Sequence, residues 1–163
     1  VTHTELVKHA ERWLRNGFKV LPTYHKKPHK HRCGVVLANH CAATFEMPDA
    51  IGWFLCGGFS CLVECKVSRS DFLADKRKPF RVNSAIGMGM FRYYMTTPGI
   101  IKVEEVPERW GLVEVVGGRC YIALVAEQQP EYASRQEKAL LYSALWRVQA
   151  KRETVELCGG AGI

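Results

Sequence analysis

Residues 60–66 read Ser60-Cys61-Leu62-Val63-Glu64-Cys65-Lys66, a run in which chemically distinct side chains alternate. Successive side chains of a strand project to opposite faces. Cys61, Val63 and Cys65 therefore share an apolar face suited to a core, while Glu64 and Lys66 share the other face. A second strand-like run, Ala50 to Leu55, precedes this one, and Cys56-Gly57-Gly58 separates the two. Gly-Gly supplies the positive φ that a two-residue hairpin turn requires. With Gly57 and Gly58 as the turn, Cys56 pairs with Phe59, Asp49 falls opposite Lys66, and Ile51 falls opposite Glu64. The hairpin commits this part of the chain to a sheet.

Helical spacing surrounds it. Leu6, Ala10, Trp13 and Leu14 predict a helix over 4–16, stopped by Asn16-Gly17. Phe18 to Leu21 and Val35 to Ala38 read as strands, with a His- and Lys-rich loop over 23–32 between them. After Lys66 the period changes. Ser68 with Asp71 three residues on is a helix-capping pattern, and Pro79 limits the helix that follows. Residues 86–90 read as a loop. Arg92 to Met95, Leu112 to Val116 and Tyr121 to Val125 read as strands, the last two joined by Gly117-Gly118. Pro130 is expected to open a long helix carrying Leu140, Leu141, Ala144, Leu145 and Val148 on one stripe. The order implies a mixed α/β (α+β) fold around one sheet. Residues 1–157 read as a single domain and 158–163 as a frayed tail.

The 163 residues suffice for a core without staples. No apolar run approaches the ~20 residues of a membrane span, and the amphipathic N-terminus does not read as a signal peptide. Seven cysteines, none in a CxxC pair, point to a reducing cell interior, so a cytoplasmic location is expected. Lys and Arg outnumber Asp and Glu by 23 to 16, a net charge of +7 that favours polyanions, nucleic acid first. The charge is uneven. Between Glu11 and Glu46 there is no acid, whereas Arg12, Arg15, Lys19, Lys26, Lys27, Lys30 and Arg32 all fall there. Such a stretch is either a solvated basic loop or an arm that contacts phosphates.

The hairpin also carries chemistry. In the register above, Asp49 lies about one diagonal step, ~7–8 Å, from Glu64. Two flexible carboxylates at that spacing can hold one Mg²⁺ or Mn²⁺. Lys66 lies close enough to orient a water or to stabilise charge building on phosphorus. The plain alternative is a surface ion pair between Glu64 and Lys66, worth little.

Pro48-Asp49, fourteen intervening residues, then Glu64-Cys65-Lys66 resembles the PD-(D/E)XK nuclease signature. The segment from Val63 to Asp75, with Ser68-Arg69-Ser70-Asp71-Phe72-Leu73-Ala74-Asp75 following the strand, is similar to the MmcB-like branch of that superfamily, found in bacteria and phages. The Arg92-Tyr93-Tyr94 and Trp110-Gly111-Leu112 runs are similar to that group as well. The resemblance implies a restriction-endonuclease-like central mixed sheet flanked by helices. It also implies a Mg²⁺- or Mn²⁺-dependent deoxyribonuclease working in DNA repair or phage DNA processing, inside a bacterium or a phage-infected host. By the same resemblance Asp49 and Glu64 are metal ligands, Lys66 is the catalytic lysine, and the Cys65 backbone carbonyl and Glu5 are further ligands. A second copy of the chain is a compatible partner, since many nucleases of this fold cut both strands as dimers. The alternative is a catalytically inactive module of the same fold that binds nucleic acid or protein.

Ser68, Arg69, Lys76 and Lys78 stand beside the expected site, and with Lys26, Lys27, Lys30 and Arg92 they are the candidates for holding a nucleic-acid backbone. Alternation on the strand predicts one of Tyr93 and Tyr94 in the core and the other free to stack on a base. His25, His29, His31, Cys33, His40 and Cys41 could bind Zn²⁺. Their spacing matches no familiar finger, so structural zinc is not expected. GxxxxGK and GxSxG motifs are absent.

Overall fold

All seven residues of Ser60–Lys66 are buried, and they form the third strand of a six-stranded sheet, the first of its three parallel strands. The computed structural model describes residues 1–23, 26–55 and 58–159, with side chains described as far as 151. The elements run α1 (His3–Asn16), β1 (Phe18–Leu21), β2 (His29–His31), β3 (Cys33–Ala38), β4 (Ala50–Phe54), β5 (Ser60–Lys66), α2 (Arg69–Asp75), α3 (Pro79–Val82), β6 (Phe91–Thr96), β7 (Trp110–Val116), β8 (Arg119–Leu124), β9 (Ala126–Glu127) and α4 (Ser134–Gly159). The fold is mixed α+β. The large sheet has the order β3-β4-β5-β6-β7-β8. Its middle, β5-β6-β7, is parallel, and its flanks are antiparallel. The smaller sheet, β2-β1-β9, includes the His29–His31 strand inside a segment expected to be loop. Among the described residues no helix is long and apolar enough to cross a membrane.

Alternation along β5 and β6 divides the interior in two. On one face Cys61, Val63, Cys65, Tyr93 and Met95 pack with Leu6, Ala10, Trp13 and Leu14 of α1. On the other, Leu62, Tyr94 and Leu112 pack with Phe72 of α2 and Leu140 of α4. Thr2 caps α1 and Glu5 completes a capping box. Both tyrosines are fully buried, so neither is free to stack on a base. The Tyr93 hydroxyl donates to the Lys19 carbonyl and accepts from Ala126 N–H at 2.9 Å. Gly111 makes room for that ring: a Cβ there would lie 2.1 Å from Tyr93 Cε1 and 2.8 Å from the Ala126 nitrogen. Because the hydroxyl is tied at both ends, the ring cannot simply retreat. Gly111→Ala is expected to destabilise the fold by about 1–3 kcal/mol or more, read as a lower urea midpoint. An unchanged midpoint would mean that the ring has slack.

Two expectations about the helices need correction. Pro130 does not open α4. The chain over 128–133 is held in an irregular path by Gln128 N–H to Leu21 O, Gln129 N–H to Met90 O and Ala133 N–H to Gly87 O, and the helix begins at Ser134. The apolar stripe is buried only at its start. Leu140 is in the core, but Leu145 and Val148 are exposed. The first turns dock through buried Glu137, which accepts from Trp53 Nε1–H at 3.0 Å, Ser60 Oγ–H at 2.8 Å and Gly89 N–H at 2.8 Å. Of the expected tail, 160–163 lie outside the described residues, while 158 and 159 continue α4.

Candidate functional site

The β4–β5 ribbon pairs Ala50 with Val63, Ile51 with Leu62 and Trp53 with Ser60, and Phe54 N–H donates to Phe59 O. This register differs by two residues from the one the Gly-Gly turn suggested. The strands are joined by four residues rather than two, and Cys56 and Gly57 lie outside the described residues. Asp49 therefore lies beside Glu64 and Cys65 instead of opposite Lys66, and Ile51 faces Leu62 instead of Glu64. A two-residue slip leaves every side chain on the same face, so Glu64 and Lys66 still project together.

Just before β4 begins, the Asp49 carboxylate accepts the Cys65 backbone N–H through Oδ2 at 2.7 Å. Its Oδ1 lies 3.2 Å from Nε2 of His3, at the start of α1. Lys66 Nζ is 3.3 Å from Glu64 Oε2, 3.3 Å from Asp75 Oδ1 and 3.9 Å from Asp71 Oδ1. Arg81, on α3, lies 3.0 Å from Glu64 Oε1 through Nη2, bonds Asp75 Oδ2 through Nε at 2.8 Å, and meets Glu46 through Nη1. Tyr94 O–H also donates to Asp75 Oδ2, at 2.9 Å. The cluster is covered on one side and open on the other. Glu64 and Lys66 are about 4% exposed, whereas the side chains of Asp49, His3 and Asp71 are 19%, 44% and 44% exposed.

The electrostatics follow from burial and crowding. Desolvation raises the Glu64 carboxyl to about 7, Asp49 and Asp75 push the same way, and Arg81 and Lys66 only partly oppose them. Burial works against the Lys66 ammonium, but Glu64, Asp75 and Asp71 outweigh it and raise its pKa. Burial alone would raise Asp75 as well, yet Arg81, Lys78 and Lys66 hold it well below the usual carboxylate range.

Asp49, Glu64 and Lys66, picked out from spacing, thus converge on one strand end. Glu5 does not join them. Its Oε2 accepts from Thr2 N–H at 2.7 Å on an exposed helix start, and His3 is the α1 residue that reaches Asp49. Ser68 caps α2, accepting from Asp71 N–H at 3.2 Å. Arg69 forms a two-pronged pair with Glu105 at 2.5 and 2.8 Å, and Lys76 donates to the Glu105 carbonyl at 2.9 Å. Lys78 lies 2.8 Å from Asp75 Oδ1. Lys26, Lys27 and Lys30 are exposed on the loop and strand of the smaller sheet. Arg92 cannot hold a backbone at the surface as expected. It is fully buried, its guanidinium bound to the carbonyls of Ser84, Gly87 and Gly89.

Glu46, Asp75 and Arg81 went unpicked in the sequence as members of the cluster. Asp75 follows Asp71 by four residues, a spacing that places both on one helix face, and that signal was available. Glu46 and Arg81 are single charges in irregular or very short elements, with no periodicity to betray them. The histidines and cysteines over 25–41 are employed separately: His31 stacks on Phe54 at 4.7 Å and His40 Nε2 lies 3.2 Å from Ser143 Oγ, while His25 lies outside the described residues. Among the described residues no group of three or more His, Cys, Asp or Glu is arranged to enclose a metal ion. Mg²⁺ does not need such an enclosure, since it keeps several waters and takes one or two carboxylates. Among the described residues Asp49 Oδ1 meets only the His3 imidazole, and with Glu64 and the Cys65 carbonyl it offers oxygens of the hard type that Mg²⁺ takes, the Glu64 oxygens being shared with Arg81 and Lys66.

No family model matches the chain, and no curated protein matches it. A solved structure of a protein of unknown function from Silicibacter pomeroyi is similar over 79% of this chain and 84% of its own, with a TM-score of 0.53 and 23% identity. At that identity the likeness shows a shared fold.

Proposed function

We propose that this chain is a Mg²⁺- or Mn²⁺-dependent nuclease of the PD-(D/E)XK type, similar to its MmcB-like branch, hydrolysing phosphodiester bonds in DNA. One observation carries the reading. The Asp49 carboxylate is bonded to the backbone of Cys65, the residue between Glu64 and Lys66, so two acids and an ammonium meet at one strand end. Asp49, Glu64 and the Cys65 carbonyl would hold the cation, which when bound supplies charge stabilisation at phosphorus. Lys66 keeps its proton under the pull of three carboxylates, which suits it to stabilise developing negative charge rather than to act as a base. Asp49, His3 and Asp71 mark the open side from which a strand would approach.

A second reading has its own observation. Both Glu64 oxygens already face cations, Arg81 and Lys66, as suits a module that keeps the fold and binds without cutting. A cleavage assay separates the two. Single-stranded, duplex and branched DNA are incubated with Mn²⁺ or Mg²⁺, beside a metal-free control. Metal-dependent cleavage that falls by about 100-fold or more in Asp49→Ala is expected. DNA binding without cleavage under every condition favours the module, and cleavage indifferent to Asp49→Ala removes the site.

A further inference from the structure

Arg81 also borders a cleft of about 440 Å³, within the range of small-ligand sites, that Glu64 does not line. Trp110 and Pro130 give it apolar walls, and Arg92, Arg109 and Gln129 line it with donors. Two of these donors stand out. Arg92 is fully buried and its Nε and Nη2 bind only neutral carbonyls, at 2.7–2.9 Å, while Nη1 has no acceptor among the described residues. Gln129 is 4% exposed and its Nε2 likewise has none. A buried donor left without an acceptor costs about 1–3 kcal/mol, so two on the wall of one cleft need a reason. Arg109, whose Nη1 lies 3.9 Å from Glu127 Oε2, adds a partnered guanidinium to the same wall. Its backbone takes a positive φ of 64°, uncommon outside glycine, and its Nη1 is anchored at 2.9 Å on the Gln128 carbonyl. Burial lowers the Arg92 guanidinium to about 10, with Arg81 pushing the same way and Glu46 and Glu137 opposing.

We propose that this cleft binds a phosphoryl group, with Gln129 and Arg109 as its donors, the buried Arg92 guanidinium as a fixed positive charge in its wall, and the Trp110 and Pro130 walls against the organic part of the ligand. Guanidinium forks match phosphate geometry. A guanidinium and an amide in front of a second, buried cation favour a dianion over the single charge of a carboxylate, and a phosphoryl group offers three acceptor oxygens. Glu108 also lines the cleft, but it is exposed and free to turn toward water. The proposal stands whether or not the chain cuts DNA, because it uses none of Asp49, Glu64 or Lys66.

The test is isothermal titration calorimetry on the full chain, at low ionic strength with EDTA. The probes are inorganic phosphate, adenosine monophosphate, adenosine, acetate, and a short oligonucleotide with and without a 5′ phosphate. The phosphate-bearing probes are expected to bind, and the tighter of free phosphate and phosphate ester names the source. Adenosine and acetate are expected to give no heat. Arg109→Gln and Gln129→Leu should each weaken binding about tenfold, the loss of one charge-assisted or buried hydrogen bond. Gln129→Leu removes only an unpartnered amide and should leave the melting midpoint in place. Asp49→Ala should bind phosphate as the parent does, which keeps this result apart from any failure of the cleavage assay. Silence from every phosphate-bearing probe, equal binding of acetate, or affinity unmoved by both cleft variants would overturn the assignment.

Discussion

Arg81→Met is expected to lower the free energy of unfolding by about 3–5 kcal/mol, seen as a lower urea midpoint with an unchanged slope. The guanidinium, 1% exposed at its side chain, is shared by Glu46, Glu64 and Asp75. Methionine fills a similar volume without the charge, so packing against Trp110, 4.9 Å away, survives in part. The three carboxylates do not survive as well. Lys66 and Lys78 remain for Asp75 and Lys66 for Glu64, but among the described residues Glu46 keeps only the Met88 N–H at 2.6 Å. An uncompensated buried carboxylate is costly. If the cost comes from charge rather than volume, adding Glu46→Gln to Arg81→Met should restore part of the loss. A double variant no more stable than the single one would place the cost in packing.

Glu137→Ala is expected to cost about 3 kcal/mol or more. It strips the acceptor from three donors at once: Trp53 on β4, Ser60 on β5, and the Gly89 amide ahead of β6. These lie on separate strands or connections, so the carboxylate is what fastens the start of α4 to the sheet. Glu137→Gln retains one oxygen but turns an amide N–H₂ toward donors, and an intermediate loss is expected. Thermal melts of the three proteins give the order. Equal stability of Ala and wild type would show that water replaces the carboxylate without cost.

The period-two reading of 60–66 found β5 and placed Glu64 with Lys66, because face assignment depends only on alternation. It could not fix the register. Slipping two residues leaves the same side chains inside, and only the length of the connection, four residues rather than two, separates the alternatives. The arginines were the harder residues. Charge suggested that Arg92 faces solvent, yet it satisfies the carbonyls of the 84–89 segment from within the fold. Arg81 took its role from α3, a four-residue helix too short to show a pattern. Long-range partners such as Glu46 and Arg81, thirty-five residues apart, leave no mark in local spacing. The capping of α1 and α2 was partly legible, since Ser68 and Asp71 were read together while Thr2 and Glu5 were not.

The bond from Cys65 N–H to Asp49 has a thermodynamic corollary. Backbone pairing between β4 and β5 stops at Ala50 and Val63, and a side chain supplies the next rung. The rotamer of that acid is thus frozen as the chain folds, not when a guest arrives. A ligand that meets its outward oxygen is spared the ordering entropy of one side chain, about 0.5–1.5 kcal/mol.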